Sequence, residues 1–155
     1  VAFEGGLQHQ LLLTDMDAMF ELMKKNIALN DLGSHVVPLI LNWYVHPLSF
    51  PSKFLLKYRG EPLPERVVSA KPNVILAADC VYFEPAFPLL LQTLGDLLEL
   101  CQDAVIYFCF KKRRRADMHF MKNAKKKFVV EEIEDQDREV FSREGLFLYT
   151  FKRKS

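Results

Sequence analysis

The sequence predicts an α/β domain built on a doubly wound sheet, and three observations carry that expectation. Apolar runs of strand length alternate with helical patterns for most of the chain. NVILAA and AVIYFCF are apolar throughout, as strands covered on both faces should be. Half of the 155 residues are apolar, enough to build the core of one domain spanning 1–155.

The elements follow in order. LQHQLLLTD reads as a short strand ending at Thr14-Asp15. A helix should follow it, because Met16, Met19, Phe20, Met23 and Ile27 recur at helical spacing on one face. Thr14 with Asp17 forms a candidate capping box, and NDLG at 30–33 ends the helix. VVPLILNW is a second strand finishing near Trp43, and Pro38, which has no N–H to give a ladder, places it at an edge. Residues 44–72 hold five prolines and little periodicity, so they are read as a long excursion at the sheet's rim, a functional or partly mobile loop.

NVILAAD is the third strand. A helix over about 85–101 comes next, with Phe87, Leu90, Leu91, Leu94, Leu98 and Cys101 on one stripe. AVIYFCF is the fourth strand, followed by KKRRR, a helix near 116–126, a strand FVVEEI, an acidic connection and a closing strand LFLYTF. With no helix expected between them, the last two strands should pair antiparallel.

Composition removes several classes of function. A net charge of +1 argues against a whole-domain electrostatic grip on nucleic acid. No apolar run approaches the roughly 18 residues of a membrane span, and no signal peptide is visible. Cys80, Cys101 and Cys109 form no CxxC pair and lie in apolar segments, which fits reduced, buried thiols in a cytosolic or nuclear protein, and a cytoplasmic setting is expected. The four histidines share no ligand spacing with them, so no metal is expected. The first residue is Val rather than Met, which reads as a fragment or a processed product.

Chemistry gathers at the strand ends. In open α/β sheets ligands sit in the crevice at the carboxyl ends of the strands, and three strands end there in Asp15, Trp43 and Asp79, with Tyr82 three places on. A carboxylate at such an end can accept both hydroxyls of a ribose, and a Trp offers a flat face to adenine. Asp79 and Tyr82 would flank the reacting group. Together they point to a nucleoside cofactor. Plainer roles stand beside each: helix capping for Asp15 and Asp79, core packing for Trp43, and packing on the next helix for Tyr82.

LLLTDMDAMFELMKKNIALN, LNW and NVILAADCVYFEPAFPLLLQTL resemble the protein-lysine methyltransferases of methyltransferase family 16. Asp79-Cys80-Val81-Tyr82 matches that family's signature of an acid, two variable residues and an aromatic after the fourth strand. AADCVYFEPAFPLL is most similar to the fungal enzymes that methylate a lysine of translation elongation factor 1-alpha. The resemblance covers 7–101 well and the remainder loosely.

It implies a seven-stranded Rossmann-like sheet, S-adenosylmethionine as cofactor and that elongation factor as the protein partner. By the same resemblance Asp15 binds the ribose, Met16 packs beside the adenine and Trp43 flanks it. Ala78 contacts the cofactor through its backbone, and Asp79 and Tyr82 shape the lysine channel. By the resemblance, the family's first strand and its Gly-rich turn should precede residue 1. The chain is therefore expected to start inside the helix after that turn, and to bind cofactor weakly by itself.

Two other functions remain open. One is a non-catalytic fragment or binding module that keeps the methyltransferase shape. The other is a nucleic-acid methyltransferase on the same fold, although those often carry prolines in PPY where this chain reads DCVY. KKRRR is read as a solvated loop that could steer an acidic protein substrate, and EEIEDQDRE as a solvated turn offsetting it.

Overall fold

Six strands form two sheets in the computed structural model, which describes residues 10–43 and 61–154. The excursion expected over 44–72 lies outside the described residues as far as 60. β1 (Leu11–Asp15) and β2 (Val36–Ile40) pair in parallel, from Leu11 on Val36 to Asp15 on Ile40. β3 (Val74–Ala78) pairs in parallel with β4 (Val105–Lys111), which pairs antiparallel with β6 (Leu146–Arg153), and β6 with β5 (Phe128–Glu132). The second sheet therefore runs β3-β4-β6-β5. β5 and β6 form the expected antiparallel pair. Pro38 lies on β2, an edge strand in its two-stranded sheet.

The core fills one face of the larger sheet. α3 (Phe87–Glu99) and α4 (Arg115–Lys127) supply Phe87, Leu90, Leu94, Leu98, Phe120, Met121 and Ala124, which meet Ile106, Phe108, Phe110 and Phe151. Phe108 is fully buried and stacks on Phe151 at 4.7 Å and on Phe120 at 5.3 Å between ring centroids. These aromatic contacts add to the burial that holds β4 under the two helices. Leu89 and Leu97 are buried as well, so α3 hides a broader face than the stripe read from the sequence.

Several local expectations change. No Thr14–Asp17 capping box forms: Thr14 stays in β1, and the helix opens with a 3-10 turn over Asp17–Met19 before α1 (Phe20–Leu29). The Asn42 side chain accepts the Asp17 N–H at 3.0 Å instead, a partner brought from beyond β2. Residues 65–70 form α2 (Glu65–Ala70) behind Pro64; six residues are too few for periodicity to reveal. α5 (Arg138–Arg143) interrupts the acidic connection, so a short helix does separate the last two strands.

The largest departure concerns β3, expected to be covered on both faces. Val74 is 56% exposed and Leu76 69%, because among the described residues nothing packs over that side. Among the described residues, β1 and β3 each also pair with a single neighbouring strand, so one edge of each has no partner among them.

These burials set a stability contrast. Phe108→Ala should lower the unfolding free energy of this chain by about 3–5 kcal/mol, as aromatic truncations in packed cores do. Leu76→Ala should stay within about 0.5 kcal/mol, as exposed substitutions do. Urea unfolding of both variants checks the contrast, and equal losses would contradict it.

Candidate functional site

The turn after β3 puts Asp79 in a conformation few side chains adopt. Its φ is +54°, in the left-handed region, where a residue with a Cβ costs roughly 1–2 kcal/mol and Asp is among the better tolerated. The Asp79 N–H still donates to the Cys109 carbonyl at 2.8 Å, so the backbone leaves the β3–β4 ladder just as the carboxylate turns away from it. Asp79 caps no helix: a 3-10 turn over Glu84–Ala86 follows Phe83, and α3 follows Ala86. Its carboxylate is instead gripped by Arg113, with Nη1 to Oδ1 and Nη2 to Oδ2 both at 2.7 Å. That bidentate bond, outweighing some desolvation, holds the Asp79 carboxyl below the usual carboxylate range.

Arg113 belongs to the basic run after β4, and that run is no freely solvated loop. Asp117, in the first turn of α4, is completely buried. One of its oxygens accepts the backbone N–H groups of Arg113 and Arg114, each at 2.8 Å. The other accepts the Arg114 guanidinium at 3.3 Å. Arg114 also donates to the Tyr82 carbonyl at 2.7 Å. Two arginines from one loop thus hold both ends of the Asp79–Tyr82 turn. Sequence reasoning missed Arg113, Arg114 and Asp117 in these roles, because three adjacent cations look solvated until their partner appears. The only signal was an acid three places after Arg114, where a helix capping acid sits.

The first sheet brings the other predicted residues to the same edge. Asp15 ends β1, and its Oδ1 accepts the Met16 N–H at 2.7 Å. Met16 is half-buried at the start of the 3-10 turn. Asn42 ties this corner together, holding Asp17 and donating to Glu61 at 3.1 Å. Trp43 is half-buried against Ala86 and Leu89, and its ring meets Tyr82 edge-on at 5.9 Å between centroids. Ala78 is the last residue of β3, and its carbonyl accepts the Cys80 Sγ–H at 3.5 Å. Burial, aided by the negative charges of Asp15 and Asp79, pushes the Cys80 thiol up to about 11, so it stays protonated at neutral pH. The Trp43–Tyr82 contact brings the end of the β1–β2 sheet to the turn after β3. All six predicted residues gather there.

Chemically, the edge offers an exposed carboxylate at Asp15, an aromatic pair at Trp43 and Tyr82, and a second carboxylate already paired with a cation. No group of His, Cys, Asp and Glu arranged to hold a metal occurs among the described residues. Asp15 suits a diol, which needs an acceptor, and Trp43 suits a flat heterocycle. The described residues thus fit the nucleoside part of an S-adenosylmethionine-type cofactor.

Comparison with known proteins bears on the family and the fold. A family model described as lysine methyltransferase, methyltransferase family 16, matches residues 1–127. Protein-lysine N-methyltransferase EFM6 of Saccharomyces cerevisiae is 37% identical over 143 residues, covering 92% of this chain and 54% of that protein. Protein N-lysine methyltransferase METTL21A of Mus musculus is 28% identical over 137 residues, covering 84% of this chain and 53% of that protein. The chain spans about half the length of these curated relatives. The solved METTL16 MTase domain matches with a TM-score of 0.51 at 14% identity, over 94% of this chain and 51% of that one, which shows a Rossmann-like α/β methyltransferase fold. With the family model covering most of its length and a relative above a third identical, the chain belongs to the lysine methyltransferase family, methyltransferase family 16.

Proposed function

We propose that this chain supplies the nucleoside-binding and lysine-binding parts of an S-adenosylmethionine-dependent protein-lysine N-methyltransferase. Its substrate in this reading is a lysine of translation elongation factor 1-alpha, as the wording around Asp79 suggests. The observation that carries the proposal is the Trp43–Tyr82 contact at 5.9 Å, which joins the adenine side of the edge to the turn bearing Asp79.

The open edges of β1 and β3 support a further part of the reading. A parallel strand between them would make one continuous sheet, and its carboxyl end would face Asp15 and Asp79. In this proposal a segment preceding Val1 supplies that strand and a Gly-rich turn for the methionine half of the cofactor. The 155 residues then form part of a single methyltransferase domain.

In the mechanism, S-adenosylmethionine when bound supplies a methyl group on a sulfonium, itself a good leaving group. Asp15 would accept the ribose hydroxyls, Met16 and Trp43 would flank the adenine, and the Ala78 backbone would border the site. The substrate amine must be neutral to attack. A lysine of pKa about 10.4 is neutral only about one part in a thousand at pH 7.4, a deficit of roughly 4 kcal/mol. An apolar channel walled by Tyr82 would lessen that deficit by desolvating the ammonium. Asp79 would orient the nitrogen in line, and good positioning can supply several kcal/mol of the barrier.

Three measurements test the proposal. In calorimetric titration with S-adenosylmethionine, this chain should bind little and the full-length protein should bind; equal affinities would remove the role assigned to the upstream segment. In the full-length protein, Asp15→Ala should lose charge-assisted hydrogen bonds worth about 1.5–3 kcal/mol, a ten- to hundred-fold loss in cofactor affinity. An unchanged dissociation constant with an intact melting curve would return Asp15 to a purely local role beside Met16. Asp79→Ala should leave cofactor affinity nearly intact and lower single-turnover methylation of the elongation factor by orders of magnitude, the pattern of a lost transition-state contact. Tyr82→Phe should be milder than Tyr82→Ala, because the ring face and not the hydroxyl walls the channel. Full activity in a folded Asp79→Ala protein would end the lysine-channel reading.

A further inference from the structure

Asp79 presents a difficulty for the chemistry just described. An unpaired carboxylate beside the substrate lysine favours its charged form and raises its pKa. That is the unreactive form. The same group that orients the nitrogen would therefore hold it as ammonium. In the structure the carboxylate is not unpaired.

We propose that Arg113 is a positioning residue for methyl transfer: its bidentate grip fixes the orientation of the Asp79 carboxylate and offsets its charge, so that Asp79 aligns the substrate lysine without locking it as ammonium. The inference rests on the lysine-channel reading above. Its geometry is specific. Arg113 reaches both Asp79 oxygens at 2.7 Å, and a carboxylate has about four acceptor sites, so it can still receive an incoming amine. Both side chains are about half exposed, at 46% for Arg113 and 53% for Asp79, so the pair stands open to a substrate.

The Arg113 backbone has been prepared for this contact. Its N–H is held at 2.8 Å by Asp117, which is completely buried, and the neighbouring Arg114 N–H is held by the same oxygen. Arg114 then pins the Tyr82 carbonyl at 2.7 Å. The loop therefore holds the two arginines against the turn from a fixed point inside α4. Other charges around Asp79 do not replace Arg113. Lys111 lies on β4 and acts on Asp79 more weakly, while Asp15 acts on the intervening Cys80 with the same sign as Asp79 itself. Asp117 is completely buried and its bonds go to the backbone of Arg113 and Arg114 and to the Arg114 guanidinium. Asp79 without Arg113 would be a net negative site.

The test compares Arg113→Gln, Arg113→Lys, Asp79→Ala and the double variant Asp79→Ala/Arg113→Gln in the full-length protein with saturating S-adenosylmethionine. The readouts are single-turnover methylation, binding of the elongation factor, and a melting curve for each variant. Arg113→Gln should lower the turnover step about tenfold for each unit by which the bound lysine's pKa rises. It should bind the substrate more tightly, because an uncompensated carboxylate holds the ammonium better. A slower step with tighter binding marks lost compensation, since a merely loosened turn would weaken both. Arg113→Lys should recover part of the rate, restoring the charge but not the two-point grip. In the Asp79→Ala background, Arg113→Gln should have no further effect, because Arg113 acts through Asp79.

An unchanged or faster rate in Arg113→Gln overturns the proposal, the faster one marking Arg113 as a block on the channel. So does a slower rate with unchanged or weaker substrate binding, or an equal loss in the Asp79→Ala background. The two readings fail separately: a fully active Asp79→Ala protein removes the lysine channel itself, whereas an inactive Asp79→Ala with an Arg113→Gln protein like the wild type removes only the role of Arg113.

Discussion

The buried carboxylate of Asp117 is the constraint on which the candidate site depends. A charge taken out of water is costly unless donors surround it, and Asp117 meets three: the N–H groups of Arg113 and Arg114 and the Arg114 guanidinium. Satisfying them dictates the backbone between β4 and α4. From that backbone both arginine side chains reach the turn after β3. The positions of Asp79 and Tyr82 are thus tied to a point in the first turn of a helix.

That fixed point needs a rigid bed. β4 lies under α3 and α4 with Ile106, Phe108 and Phe110 buried, and the Phe108 ring is stacked between Phe120 and Phe151. The parallel ladder from β3 to β4 then brings Asp79 to the Cys109 carbonyl, where the chain turns left-handed. Aromatic packing holds the sheet, the sheet holds the strand end, and the loop holds the side chain. Small displacements at any level would reach the carboxylate.

The remaining half of the site comes from the other sheet. β1 and β2 deliver Asp15 and Trp43, and the link to the turn is made by rings and charge more than by strand pairing: Trp43 on Tyr82, and Asp15 on the Cys80 thiol. On the larger sheet, β3 leaves Val74 and Leu76 exposed. An apolar strand face left in water is the feature that a neighbouring layer would cover.

The sequence by itself determined the alternation of strands and helices, the carboxyl-edge positions of Asp15, Trp43 and Asp79, and the pairing of an acid with an aromatic three residues on. Those are properties of period and order along the chain, and they survive translation into space because a parallel sheet aligns its strand ends. Tertiary structure alone decided who meets whom. The partner of Asp79 stands 34 residues away in a run of cations, and nothing in that run distinguishes Arg113 from its neighbours before folding. The burial of Asp117, the capping of Asp17 by Asn42 and the bare face of β3 have the same origin. Each depends on the distance between elements that are remote in sequence, and local pattern records which side of an element is apolar but not which charge or ring will be brought against it.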